Sequence, residues 1–348
     1  MAGIRTRSLI VAIAGILVAA ALGTGSAAAS TGTLVITAST TLSEDHHGNI
    51  LIEGDNITLD CAGHAVFGPG TAGFAGGIQV AGGSGLTVRR CTVTGFAVNG
   101  IYAFGASRGR YIDNLLVGNG NHGIHLEQGT DNLLIGNTST SNGAIGIVLT
   151  QSTQSRIVNN SLLANRNWAG IALMDGSHDN LVVDNTASQN GLGIVLDGAV
   201  DNTVSANTAT LNEAAGVLLI RGASGNTVAS NLSNQNGIGF EVTQSSDGNS
   251  VLSNLANANR FDGFKVNESD SNFLSADLAN ANGDNGFLVF GGSSFNRVTC
   301  SSGHGNGAFD AQDTGPGSAN VWAGNHFGTA LAIHRFGRSR RVRHCPSP

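Results

Sequence analysis

A glycine followed by an apolar residue returns about every 23 residues along most of this chain, and nothing else in it narrows the fold so far. The pairs are Gly77-Ile78, Gly100-Ile101, Gly123-Ile124, Gly146-Ile147, Gly170-Ile171 and Gly193-Ile194, then Gly216-Val217, Gly239-Phe240, Gly263-Phe264, Gly286-Phe287 and Gly307-Ala308. Successive intervals are 23 or 24 residues nine times and 21 once. Two asparagine series keep the same register. One runs Asn114, Asn137, Asn160, Asn185, Asn207, Asn231, Asn254 and the other Asn119, Asn142, Asn165, Asn190, Asn212, Asn236, Asn259, Asn282. A third, interrupted series runs Asn132, Asn180, Asn202, Asn226, Asn249, Asn272, Asn296, Asn320. A period of 20–50 residues held this long is the mark of a stacked repeat.

Within each unit the apolar residues alternate. After Gly123, Ile124 and Leu126 interleave with His125 and Glu127. Period two means strand, with one set facing inward. No apolar pattern at helical spacing lasts the ten or so residues a helix needs. Strands this short cannot bury their apolar side alone, but coils stacked about 4.8 Å apart can. The expected fold is therefore all-β: a single-stranded right-handed parallel β-helix, a solenoid of about eleven coils of ~23 residues. Ile and Val columns form its core, continued by Phe240, Phe264 and Phe287, while asparagine columns at the turns tolerate left-handed backbone and bond from coil to coil.

The chain opens differently. Arg5 and Arg7 precede an apolar run from Ser8 to Leu22, and Ala27-Ala28-Ala29 supplies a cleavage signature, so residues 1–29 read as a signal peptide and Ser30 as the mature start. The β-helix domain is placed at 30–330, with a strand-rich cap at 31–55 and a C-terminal cover holding Trp322, Phe327 and Phe336. Residues 331–348 form a basic tail, read as solvated or as a contact for anionic wall polymers. The expected location is secreted and extracellular, or periplasmic in a cell with two membranes.

Of 17 basic residues, two lie before Ser30 and five in the tail, whereas all 23 acidic ones lie between Glu44 and Asp313. So acidic a body repels nucleic acid, and no membrane partner is expected once the signal is cleaved. A monomer is expected. Four cysteines suit an oxidising compartment and allow three pairings. Cys61 and Cys91 fall one coil apart, and Cys300 with Cys345 would fasten the tail, so these two bridges are the expected ones.

The segments Ile57-Thr58-Leu59-Asp60-Cys61-Ala62-Gly63-His64 and Leu86-Thr87-Val88-Arg89-Arg90-Cys91-Thr92-Val93-Thr94-Gly95-Phe96 resemble the opening of NosD-type β-helix proteins. Those belong with the carbohydrate-binding and sugar-hydrolase (CASH) repeats of the pectin-lyase-like superfamily. The likeness extends over roughly residues 33–325. It implies a β-helix and a choice among several functions: pectate lyases, polygalacturonases, alginate epimerases, phage tailspikes and proteins without demonstrated activity. NosD itself is associated with copper-site maturation. Here Met174 is the sole methionine after the signal and no His/Cys/Met cluster has ligand spacing, so no metal site is read from the sequence.

Two clusters carry possible chemistry. Two residues past each anchor glycine the outward column runs Gln79, Tyr102, His125, Val148, Ala172, Val195, Leu218, Glu241, Lys265, Leu288. Four past, it holds Phe104, Glu127, Thr150, Met174 and Asp197. Tyr102, His125 and Glu127 thus share one face, and the first two resemble the Tyr/His pair with which alginate epimerases and lyases move a C5 proton. Asp175, Asp197 and Arg221 on successive coils are similar in composition to a pectate-lyase site. Two carboxylates there could hold Ca²⁺ or serve as acid and base, with Arg221 facing a uronate. Each is also followed by glycine, which is ordinary turn chemistry. Lys265 is the only lysine, which disfavours an anionic substrate unless Ca²⁺ bridges it. The middle of the face is apolar, so a loop, a partner or a sugar ring is expected to cover it. Two functions stay open: a secreted protein binding extracellular carbohydrate or a surface partner through an outer sheet face, or a polysaccharide-active lyase, glycoside hydrolase or C5-epimerase.

Overall fold

Short strands joined by tight turns of two to several residues build a three-sided coil. A computed structural model describes residues 32–69, 76–165, 167–315, 319–333 and 345. The stretch read as a signal peptide and most of the basic tail, Phe336 included, lie outside them. Every regular element described is a strand, and the strands form three parallel sheets of 14, 13 and 13 members in which each strand pairs with its equivalent one coil away. The fold is an all-β, right-handed parallel β-solenoid with turns about 23 residues apart. Leu34–Ile36 and Ile50–Ile52, within the segment expected as a cap, are themselves the first two rungs of the first sheet.

Register follows the repeat. Ile101, Ile124, Ile147, Ile171, Ile194 and Val217 stack as one inward column, all fully buried. Phe240, Phe264 and Phe287 continue it with rings 4.8 Å apart and 5° from parallel. Full burial of each such side chain is worth roughly 1.5–3 kcal/mol. The last step of the repeat needs correction. Ala311, not Ala308, pairs with Phe287, so Asp310 takes the anchor position. Gly307 instead sits in a turn, its N–H bonded to the Asn282 carbonyl as that of Gly283 is to Asn259.

The anchor glycines are there for space. A Cβ on Gly193 would lie 2.2 Å from the Gly216 carbonyl oxygen, and one on Gly146 would lie 2.6 Å from that of Gly170. The asparagines differ from expectation too. Left-handed backbone falls on the residue before each ladder position, as at Asp113 (φ 52°), Asp184 (57°), Ser230 (57°) and Ala276 (58°). That kink turns the following asparagine inward. Asn185 shows the pattern: its Oδ1 accepts from both the N–H and the Nδ2 of Asn160, and its own Nδ2 donates to the Ile157 carbonyl and to Asn207. Ser155 fills the gap in the third series, accepting from Asn132 N–H.

Cys61 is bonded to Cys91 and Cys300 to Cys345. Closing loops of 30 and 45 residues removes freedom from the unfolded chain worth about 3–4 kcal/mol each.

Candidate functional site

The outward face of the first sheet carries the candidate groups, because the strands Ile101–Phe104 and Ile124–Glu127 lie side by side. Alternation sends Ile101, Ala103, Ile124 and Leu126 into the core and leaves Tyr102, Phe104, His125 and Glu127 outside. Tyr102 stands opposite His125, their ring centroids 5.3 Å apart. Its hydroxyl donates to Glu127 Oε2 at 2.7 Å. Burial, then the Glu127 carboxylate, push the Tyr102 hydroxyl up to about 12. At neutral pH it is a held proton donor.

His122, one residue ahead of its anchor glycine, was not among the expected residues. Its ring meets His125 edge-on at 5.3 Å, and its Nδ1 accepts the Ile145 N–H at 3.3 Å, placing the ring proton on Nε2. Burial and the neighbouring imidazole lower His122 to about 4. Burial also lowers His125, against the pull of Glu127, and its Nε2 lies 3.1 Å from Thr150 Oγ1. Both rings are therefore neutral at pH 7. The signal for His122 lay in the column just before the anchor, where Asn99, His122, Ile145 and Ala169 follow one another. Beside Tyr102 a groove of about 410 Å³ is lined by Gln79, Val80, Ala81, Gly82, Tyr102 and Phe104. Phe104 is 44% exposed.

The second cluster comes together only in part. Asp197 pairs in register with Met174 and Ile220, so Asp175 falls one position further along. Asp175 and Arg221 adopt left-handed turns (φ 52° and 54°). Arg221 folds back onto the buried Asp197 as an ion pair, while Asp175 is exposed. An open carboxylate pair is replaced by one neutralised carboxylate and one turn residue.

Between the first cluster and the C-terminal coils, Val148, Ala172, Val195 and Leu218 point outward yet are buried. They form a second apolar cluster with Ile145, Ala169 and Ala215, flanked by Trp168, Met174, Leu192 and Ile220. Part of the cover expected from a loop, partner or sugar thus comes from neighbouring side chains, both from the strands and from Ile145 and Trp168 in the turns just before them. Beyond them Lys265 Nζ lies 2.9 Å from Glu241 Oε1 and 5.5 Å from the centre of the Phe290 ring.

Two family models match the chain. One, described as right handed beta helix region, matches residues 76–233, and one described as periplasmic copper-binding protein (NosD) matches residues 182–306. No curated protein matches in sequence. Among solved structures, the Azotobacter vinelandii mannuronan C-5 epimerase AlgE6 A-module is similar at 17% identity, over 88% of this chain and 90% of that one, with a TM-score of 0.62. A double mutant of the periplasmic alginate epimerase AlgG is similar at 17% identity, over 86% and 77%, with a TM-score of 0.61. The Dettilon tailspike protein is similar at 18%, over 84% of this chain and 60% of that one, with a TM-score of 0.58. At these identities the likeness is one of fold. The donors for copper do not fit: all four cysteines are in disulfides, and among the described residues no three His, Cys, Asp or Glu side chains are grouped to hold a metal. Among the same residues no helix is long and apolar enough to cross a membrane.

Proposed function

We propose that this chain, a right-handed parallel β-helix repeat protein with NosD-type repeats, works outside the cytoplasm by binding carbohydrate along the outer face of its first sheet. The observation that carries the reading is the groove beside Tyr102, where an exposed aromatic ring, an amide and a tyrosine whose hydroxyl is held by the neighbouring Glu127 converge. Phe104 offers an apolar surface to a sugar ring, Gln79 can both donate and accept, and Glu127 accepts from sugar hydroxyls. The names of similarly folded proteins, alginate epimerases and a tailspike, support a polysaccharide partner. The apolar run before Ser30 supports export by a signal peptide.

One observation favours a second reading, a lyase, hydrolase or epimerase. Tyr102 keeps its proton and His125 is neutral, which suits the first as acid and the second as base. Against a uronate substrate, neither Lys nor Arg lines the groove.

The mature protein incubated with neutral glycans, pectin and alginate, with and without Ca²⁺, tests both. Affinity electrophoresis is expected to show retention by a neutral glycan that falls at least tenfold in Phe104→Ala and Tyr102→Ala, about 1.4 kcal/mol or more. Equal retention of the variants and the parent overturns the site. Product formed by the parent and lost in His125→Ala overturns the purely binding role.

A further inference from the structure

One carboxyl group sits inside an asparagine ladder. In that ladder Asn114, Asn137, Asn160, Asn185, Asn207, Asn231 and Asn254 donate Nδ2 to the carbonyls of Val88, Tyr111, Leu134, Ile157, Val182, Val204 and Val228. Asp277 occupies the next position, and Val251 is the next residue of the carbonyl column. Asp277 Oδ1 does what the Oδ1 of each asparagine from Asn137 to Asn254 does, accepting from the N–H and Nδ2 of the residue below, here Asn254 at 2.8 Å and 3.1 Å. Oδ2 takes the place of the amide nitrogen. It is buried and no donor reaches it. The Ser301 hydroxyl above is committed, donating to the Thr299 carbonyl at 3.1 Å and accepting the Asp277 N–H at 3.2 Å.

An ionised oxygen in that place would be charged, dry and aimed where its neighbours carry a donor; leaving it unmatched costs several kcal/mol. A proton removes the conflict, because a carboxylic acid presents one acceptor and one donor, as a primary amide does. We infer that Asp277 is an undissociated acid in the folded protein at neutral pH, its Oδ2–H donating to the Val251 carbonyl in place of an asparagine amide, which makes the stability of these coils respond to pH. Burial, the largest influence on the group, holds its proton well above the usual carboxylate range, and the bonds from Asn254 oppose it more weakly. The side chains facing it are Asn254 from the coil below and Ser301 from the coil above, the Ser275 main chain lies beside it on its own coil, and no charged residue contributes.

The sign follows from the raised folded value. The benefit of the bound proton is complete below about pH 4, where the unfolded carboxyl is also protonated, and is eroded as pH rises towards the folded value. His122, held low, acts in the opposite sense between about pH 6.5 and 4. Comparing the parent with Asp277→Asn cancels that contribution.

The test is the urea unfolding constant of the full chain from about pH 4 to 8, for the parent, Asp277→Asn and Asp277→Ser, serine being native to a ladder at Ser155 and Ser301. The ratio of the parent's constant to that of either variant is expected to rise tenfold per pH unit from about pH 4 to beyond 7. The infrared difference between parent and Asp277→Asn at pH 7 is expected to hold the carbonyl band of an undissociated acid. A ratio that stays flat, or levels off below pH 7, overturns the inference, as does a difference spectrum containing only carboxylate bands.

Discussion

Replacing Gly193 by alanine tests whether the repeat glycines are demanded by space or by backbone conformation. The added methyl would sit 2.2 Å from the Gly216 carbonyl oxygen, 3.0 Å from Ala209 Cβ and 3.0 Å from Asn212 Nδ2. The first distance is more than 1 Å inside van der Waals contact. The atom it meets is main chain on the next coil, held at the rung spacing by sheet hydrogen bonds, so it cannot swing away. Overpacking of this kind costs about 1–3 kcal/mol, and opening the coil weakens neighbouring ladder bonds worth about 1 kcal/mol each. Stiffening of the unfolded chain returns about 0.4–1 kcal/mol. The net expectation is a loss of about 3 kcal/mol. Gly222 is the control, since its φ is +80° and a methyl added there would have no atom within 4 Å. Alanine at that position bears only the left-handed penalty of about 1–2 kcal/mol, partly returned in the same way. Urea unfolding followed by far-UV circular dichroism would compare the two midpoints at constant slope. If Gly193→Ala lies within about 0.5 kcal/mol of the parent, or is milder than Gly222→Ala, the close-approach argument is wrong.

Two further substitutions probe the interior. Asn185→Ala leaves the buried Asn160 N–H without its acceptor, while Asn160 Nδ2 keeps the Leu134 and Val158 carbonyls, so unfolding should become easier by about 1–3 kcal/mol, the cost of one orphaned buried group; a loss well under about 1 kcal/mol would deny the ladder its structural weight. Tyr111 carries a buried hydroxyl with no partner, so Tyr111→Phe should stabilise the fold by about 1–2 kcal/mol. A destabilised variant would mean that the hydroxyl is bonded in solution.

What was legible in the sequence was whatever depends on period alone. Equivalent residues 23 apart must stack once the coils stack, so the inward Ile and Phe columns and the outward pairing of Tyr102 with His125 could be written down from spacing. The break near the end shows the limit of that method. Gly307 resembles an anchor by composition, but the main-chain ladder decides which residue lies over Gly286, and it selects Asp310.

The sequence by itself therefore determined the architecture and the membership of its columns, because a repeat leaves each side chain one choice of face. Only the tertiary structure decided what the columns do. It turned asparagine inward by kinking the residue before it, closed Arg221 onto Asp197 instead of leaving two carboxylates open, and set His122 against His125. It also buried an outward apolar strip beneath its own flanks and gave Asp277 an amide's place. The physical reason is that these outcomes rest on contacts a few ångströms long between coils, in depth and direction, and a one-dimensional period carries neither.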